Sequence, residues 1–245
     1  MQSGFLIPPL TDQLPEGAAL FMIAGPIGNL ADITVRALQI LSCVDLVLCE
    51  DTRKSAILLQ QYGIQTRRLS FRIHQLRSDI DRAMRSLEQG EKIAFLTDAG
   101  TPGISDPGYE LVRTLLERLP AVPIVALPGP SAVTTAVSIS GYSGSPLHFY
   151  GFLPRKAGQR QSLLAVAQEL NGILVFYESV HRIEKSLLEL HQSLAGRDVT
   201  VFRELTKVFE ERIFIPAEIT EDALAEKLMH LRKKGEFTII AGPKK

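Results

Sequence analysis

Phe95-Leu96-Thr97-Asp98-Ala99-Gly100-Thr101-Pro102-Gly103-Ile104-Ser105-Asp106-Pro107-Gly108 is the stretch from which the fold can be read. It opens as a buried strand and breaks into a loop rich in glycine and proline. It closes on Asp106-Pro107, which reads as the N-cap and first residue of a helix. A loop that only joined a strand to a helix has no need of so much fixed geometry, so the stretch is read as holding a ligand. Asp98, Gly100 and Thr101 lie at the strand exit, ahead of the cap. Main-chain groups there can face a ligand, and glycine lets it approach closely.

Working upstream, Lys92–Thr97 is the strand that feeds this loop. Before it, Leu76, Ile80, Ala83, Met84 and Leu87 fall on one face of a helix that stops at Gly90. Arg67–Phe71 reads as a strand. Val44–Cys49 is a strand buried on both faces, delivering Glu50-Asp51-Thr52-Arg53 at its end. Ala18–Ala24 is another, running into Gly25-Pro26-Ile27-Gly28-Asn29-Leu30, after which Asp32 is expected to cap a helix. Downstream, a helix with Leu111, Val112, Leu115 and Leu116 inward leads to strand Val122–Leu127 and then Pro128-Gly129-Pro130. Strands alternating with helices predict an α/β layer on a largely parallel sheet.

Past Pro130 the pattern changes. Strands are expected at His148–Phe152, Ile173–Tyr177, Val199–Arg203, Val208–Ile215 and Phe237–Ala241, with helices between some of them and a basic loop over Leu153–Arg160. Adjacent extended segments point to a mixed sheet. The expected organisation is a poorly ordered arm over 1–17, an N-terminal α/β domain over 18–127 and a C-terminal α/β domain over 128–245.

Composition narrows the classes. The chain has 245 residues, 45% hydrophobic and 22% charged, with zero formal net charge. That suits an ordinary globular protein able to bury a sizeable core without metal or disulfide. It gives no global field toward nucleic acid. Cys43 and Cys49 sit in apolar segments and read as reduced core thiols, which fits the cytosol. No apolar run approaches the ~20 residues of a membrane span, and no signal peptide is visible.

Ligands of open α/β sheets gather beyond the carboxyl ends of the strands. Four stretches meet that condition: 25–29, 50–53, 98–106 and 128–132. Gly25-Pro26-Ile27-Gly28 matches neither the dinucleotide fingerprint nor a Walker loop, so a cofactor held through pyrophosphate loses ground. It remains either a tight turn or a ligand wall. Glu50-Asp51-Thr52-Arg53 is either a capped helix start or a polar rim. Tyr177-Glu178-Ser179-Val180-His181-Arg182 and Arg203-Glu204-Leu205-Thr206-Lys207 each follow a strand and could wall an active site. Basic residues are locally sorted: Arg67, Arg68, Arg72, Arg77, Arg82 and Arg85 crowd one segment, while Arg155, Lys156 and Arg160 share one loop. They are either solvated faces or phosphate contacts with salt-dependent RNA affinity.

Taken in order, residues 25–34, 50–53, 98–108 and 128–132, with Gly151-Phe152-Leu153-Pro154, 176–182 and 203–207, resemble the tetrapyrrole methylase superfamily, and within it a branch that methylates ribosomal RNA. The resemblance runs from about Ala18 to the end. It implies two α/β domains with the cofactor, S-adenosyl-L-methionine, in the cleft between them, and usually a homodimer; with only two cysteines and no second pair, no metal is expected. It implies methyl transfer to the ribose 2′-hydroxyl of a cytidine in the decoding region of 16S rRNA, in the small ribosomal subunit of the cytoplasm.

Carried over by motif, cofactor contacts fall to Pro26, Asp98, Thr101, Ile104, Ser131, Ala132, Tyr177, Leu205 and Glu236, joined by Gly100 from the reading of the loop. An in-line transfer to a weak nucleophile benefits from a general base. The candidates are Glu50, Asp51, Glu178, Glu204 and Lys207, with Glu178 and Glu204 favoured because both follow C-terminal-domain strands. RNA contacts are expected from Arg53, Arg72, Arg155, Lys156, Arg160 and Arg182. Gly25, where this branch often has another small residue, and Ser70-Phe71-Arg72-Ile73-His74 depart from the family pattern. The alternatives are a related methylase acting on a tetrapyrrole or a protein side chain, and a ribosome-associated cofactor-binding protein without catalysis.

Overall fold

The structure, a computed structural model, describes residues 6–10 and 14–245. The chain divides into two compact units, Met1–Ser131 and Ala132–Lys245.

The first unit is built on β1 (Ala19–Ile23), β2 (Leu46–Cys49), β3 (Arg68–Ser70), β4 (Lys92–Leu96) and β5 (Ile124–Leu127), in the order β3-β2-β4-β1-β5. Every pairing is parallel. Helices α1 (Val35–Cys43), α2 (Thr52–Gln61), α3 (Leu76–Glu88) and α4 (Gly108–Arg118) make the crossovers. Side chains alternate faces along a strand, and the core follows that rule. Phe21 and Ile23 of β1 pack with Ala37 and Leu41 of α1 and Leu58 of α2. Leu20 and Met22 turn to the opposite side, with Met84 of α3 and Leu111 and Leu115 of α4. With both faces covered, β1, β2 and β4 have to be nearly all apolar, which makes them readable in the sequence. The chain runs one way across the sheet through β3 and then reverses. The neighbouring strands β1 and β4 therefore send their crossovers to opposite faces, the kind of point where open α/β sheets hold ligands.

Two helix starts differ from expectation. Asp32 lies in a short 3-10 turn, and the N-cap of α1 is Thr34, whose hydroxyl accepts from the Ala37 amide. Asp106 sits one residue outside the cap of α4. Its carboxylate accepts from both Gly108 N and Ile104 N, joining helix start to loop. The expected loose arm over 1–17 falls partly outside the described residues. Of the rest, Ile7, Leu10 and Leu14 pack on the core, and Gln39 Nε2 donates to the carbonyls of Pro8 and Pro9.

The second unit has α5 (Ala132–Ser138), β6 (Leu147–Phe152), α6 (Ala157–Gln168), β7 (Ile173–Glu178), α7 (Ile183–Ser193), β8 (Val199–Arg203), β9 (Glu211–Ile215), α8 (Glu221–Met229) and β10 (Phe237–Ala241). Its sheet runs β6-β7-β10-β8-β9; only β6 and β7 are parallel. Leu164, Leu187, Leu190, Leu224 and Leu228 from α6, α7 and α8 cover one face. Arg197 is fully buried and donates to the carbonyls of Gly172, Gly242 and Leu170, closing main-chain groups that would otherwise be orphaned. Among the described residues no helix is long and apolar enough to cross a membrane.

Candidate functional site

In the first unit the loops leaving β1, β4 and β5 are tied together through main-chain atoms. Gly25 and Gly100 exchange both amides and carbonyls, at 3.0 and 2.9 Å. The Thr97 hydroxyl accepts from Gly25 N and donates to Gly100 O. Thr101 Oγ1 donates to Pro130 O at 3.1 Å, bringing in the loop after β5. A Cβ on Gly25 would stand 2.4 Å from the Thr97 carbonyl oxygen, so only glycine fits there. Gly100 has φ +77, in the region that favours glycine. Pro26, Thr101, Ile104 and Ser131 are half-buried around this knot.

Beside it lies an acidic edge. Glu50 follows β2 and Asp98 follows β4, which are adjacent strands. Glu50 Oε1 accepts from Asp98 N at 3.3 Å, and Asp98 Oδ1 accepts from Asp51 N at 3.0 Å. Lys54 Nζ is 3.1 Å from Asp98 Oδ2. Burial raises the Glu50 carboxyl above the usual glutamate value. The Asp98 amide opposes that, and the charges of Asp98 and Asp106 reinforce it. Asp51 is different: its bonds from the Arg53 side chain and amide hold its carboxyl far below the usual range. Asp51 is the cap of α2, and Arg53 is its exposed partner.

In the second unit, Tyr177 and Glu178 end β7. The Tyr177 hydroxyl is pushed up to about 12 by burial, against a bond from the backbone of Val133 in α5. Ala132 begins that helix. Glu178 is buried and fully engaged. Oε1 accepts from Ser179 N at 2.7 Å and pairs with Arg182 at 2.8 Å; Oε2 accepts from Ser186 Oγ at 2.6 Å. These bonds tie Glu178 to the start of α7.

Glu204 is held by its own partners. It has φ +54, and its carboxylate accepts from Lys207 Nζ at 2.8 Å and Glu236 N at 3.0 Å. Burial works to raise its carboxyl, but those two bonds outweigh it and the net shift is downward. Lys207 also meets Glu236 Oε2 at 2.9 Å. Burial works against its charge, and bonds to Glu204 and Glu236 overcome that and raise it, so Lys207 is an ammonium and not a base. Leu205 is buried.

The basic residues separate by environment. Arg155 and Lys156 are exposed. Arg160 is not: it lies inside α6, buried, donating to Glu189 and to the carbonyls of Pro154 and Arg155. The expected basic loop ends earlier because α6 starts at Ala157 despite Gly158. Arg160 braces that helix and is withdrawn as an RNA contact. Arg182 is tied to Glu178 and Leu153 O. Arg72 is exposed at the end of β3, its amide held by the buried Asp79. Thr97, Lys54 and Asp79 escape the sequence reading. A polar residue ending an apolar run is the signal for Thr97; Lys54 acts through Asp98, distant in sequence, and Asp79 through Arg72 and Arg82 close by. Among the described residues no group of His, Cys, Asp and Glu is placed to hold a metal.

A protein of Leptospira biflexa serovar Patoc named ribosomal RNA small subunit methyltransferase I is 38% identical over 232 residues, covering 94% of this chain and 93% of that protein. One of the same name from Thermotoga maritima is 40% identical over 228 residues, covering 92% and 98%. Among solved structures, uroporphyrin-III C-methyltransferase of Thermus thermophilus in complex with S-adenosyl homocysteine matches with TM-score 0.62 at 18% identity, covering 91% of this chain and 96% of that one. The family model described as tetrapyrrole (corrin/porphyrin) methylases matches residues 19–220. The chain belongs to the family of tetrapyrrole methylases.

Proposed function

We propose that this protein methylates the 2′-oxygen of a cytidine ribose in the decoding region of 16S rRNA, with S-adenosyl-L-methionine as its cofactor. The observation that carries the reading is the similarity, across more than nine-tenths of the chain, to relatives named as small-subunit rRNA methyltransferases. We read the enzyme as a cytoplasmic homodimer.

The acidic edge suits this cofactor. Glu50, Asp98 and Asp106 converge where no phosphate-binding fingerprint exists, so the edge would repel a pyrophosphate and favour a cationic group. When bound, S-adenosyl-L-methionine supplies an electrophilic methyl group on a cationic sulfur, displaced in line by an oxygen nucleophile. The knot of Gly25, Thr97, Gly100 and Thr101 provides rigid main-chain groups for orientation, the effect worth roughly 7–11 kcal/mol in well-aligned reactions. Pro26, Ile104, Ser131, Ala132, Tyr177, Leu205 and Glu236 are the proposed remaining contacts.

Glu50 is the proposed base. Burial holds its carboxyl above the usual glutamate value, and it takes the proton of the 2′-hydroxyl as the oxygen–carbon bond forms. Lys207, kept charged by two carboxylates, is the proposed electrostatic partner of the substrate. Arg53, Arg155 and Lys156 are proposed contacts to the RNA backbone. The test is mass spectrometry of 16S rRNA from cells lacking the protein. One cytidine ribose methyl should disappear and return with the wild-type gene; an unchanged methylation map would reject the reading.

A further inference from the structure

We infer that edge strand β3 and the outward face of α3 form a docking surface for the phosphate backbone of the RNA, separate from the strand-end site. This rests on the rRNA reading above and deepens it.

Charge sorting is the first argument. Between Arg67 and Arg85 there are six arginines, two aspartates and no lysine, whereas the rest of residues 1–131 has six basic and twelve acidic residues. A strongly basic strip thus lies on an otherwise acidic unit. It is built of arginine, whose planar fork matches phosphate.

The second argument is how the two acids are engaged. Asp79 is buried; it accepts from Arg72 N at 3.0 Å and from the Arg82 guanidinium at 2.6 Å. Asp81 is taken by Arg118 at 2.7 Å. Arg67 is paired with Glu91. Arg68, Arg72, Arg77 and Arg85 are left exposed with no carboxylate at salt-bridge distance among the described residues. Arg77 and Arg85 lie eight residues apart on α3, about 12 Å along the helix at 1.5 Å per residue, a span that covers more than one phosphate. Arg72 continues the strip to the carboxyl end of β3, next to the β2 end that carries Glu50. The strip therefore reaches from the helix to the site edge. Asp81 lies one helical turn from both Arg77 and Arg85 and offsets part of their charge, but six arginines against two aspartates leave the strip strongly positive.

The test measures binding and methylation of small ribosomal subunits from cells lacking the protein, across a potassium chloride series. The proteins are wild type, Arg77→Gln/Arg85→Gln, and a control, Lys227→Gln on exposed α8. Removing one arginine–phosphate pair should lower the slope of log K against log salt by about 0.7–0.9. The double variant should lose about 1.5 in slope and raise KM several-fold near 0.15 M salt, with kcat and melting temperature unchanged. A wild-type slope and KM in the double variant would overturn the docking surface alone. An equal loss in Lys227→Gln would overturn it too, by assigning the effect to overall charge. Failure of wild type to bind or methylate the particle would overturn the rRNA reading and the surface with it.

Discussion

The two units handle carboxylates at strand ends in opposite ways. In the first, Glu50 and Asp98 stand on neighbouring parallel strands, share one amide hydrogen bond and repel each other, which leaves Glu50 poorly neutralised. In the second, Glu178 and Glu204 are neutralised by arginine, lysine, serine and main-chain amides. A parallel sheet sends all its strand ends to one edge, so like charges are forced together there. A mixed sheet brings starts and ends to the same edge, and complementary groups can pair. The lesson is that a carboxylate after a strand is reactive or structural according to the company the topology gives it.

The sharpest way to break this contrast is Glu50→Gln. It should lower kcat by about 100-fold or more, the range for loss of a general base. Because burial holds the folded carboxyl above its unfolded value, the ionised group is penalised in the folded state at neutral pH. That penalty is relieved as pH falls through the raised value. The glutamine variant should therefore melt slightly higher than wild type at pH 7, by calorimetry, while losing turnover. Equal loss of stability and activity would place Glu50 with the structural carboxylates.

Next comes Glu178→Ala, which should cost about 3–5 kcal/mol by denaturant titration, since it strands a partner arginine in a partly buried site. Turnover per folded molecule should change less than threefold. A large kcat loss with normal stability would return Glu178 to the chemistry. Gly25→Ala should cost about 1–3 kcal/mol through overpacking against the Thr97 carbonyl, and should weaken cofactor binding about tenfold by isothermal calorimetry. The pH profile of kcat should have its acid limb above the ordinary glutamate range, and that limb should vanish in Glu50→Gln. Smallest is Thr34→Ala, about 1 kcal/mol for a missing helix cap, with activity unchanged.

The strands of the first unit are legible because burial on both faces leaves a plain apolar signature at β1, β2 and β4. The helix caps are less so. Asp32 and Thr34 are both competent caps, and local sequence does not say which one the intervening 3-10 turn will consume. Arg160 misleads because Gly158 suggests a loop, and tertiary packing against Glu189 overrides that preference. The convergence of 25–29, 50–53 and 98–106 follows from the rule that ligands sit beyond strand ends. What is illegible is occupancy: that the Ser186 hydroxyl turns to Glu178, and that Lys207 is clamped between Glu204 and the distant Glu236, are facts of side-chain geometry.

The position of β10 has a consequence for how the chain is made. The first unit has all five of its strands by residue 127 and can close as soon as they are synthesised. In the second, β10 occupies the middle of the sheet, hydrogen-bonded on one side to β7 and on the other to β8. Until residues 237–241 exist, β7 and β8 have no partner between them and the Leu164–Leu228 core stays open on its central strand. Biogenesis is thus split in time: the unit with the acidic edge forms early, and the unit with Tyr177 and Lys207 waits for its last strand. Chaperone demand during translation should concentrate on the second.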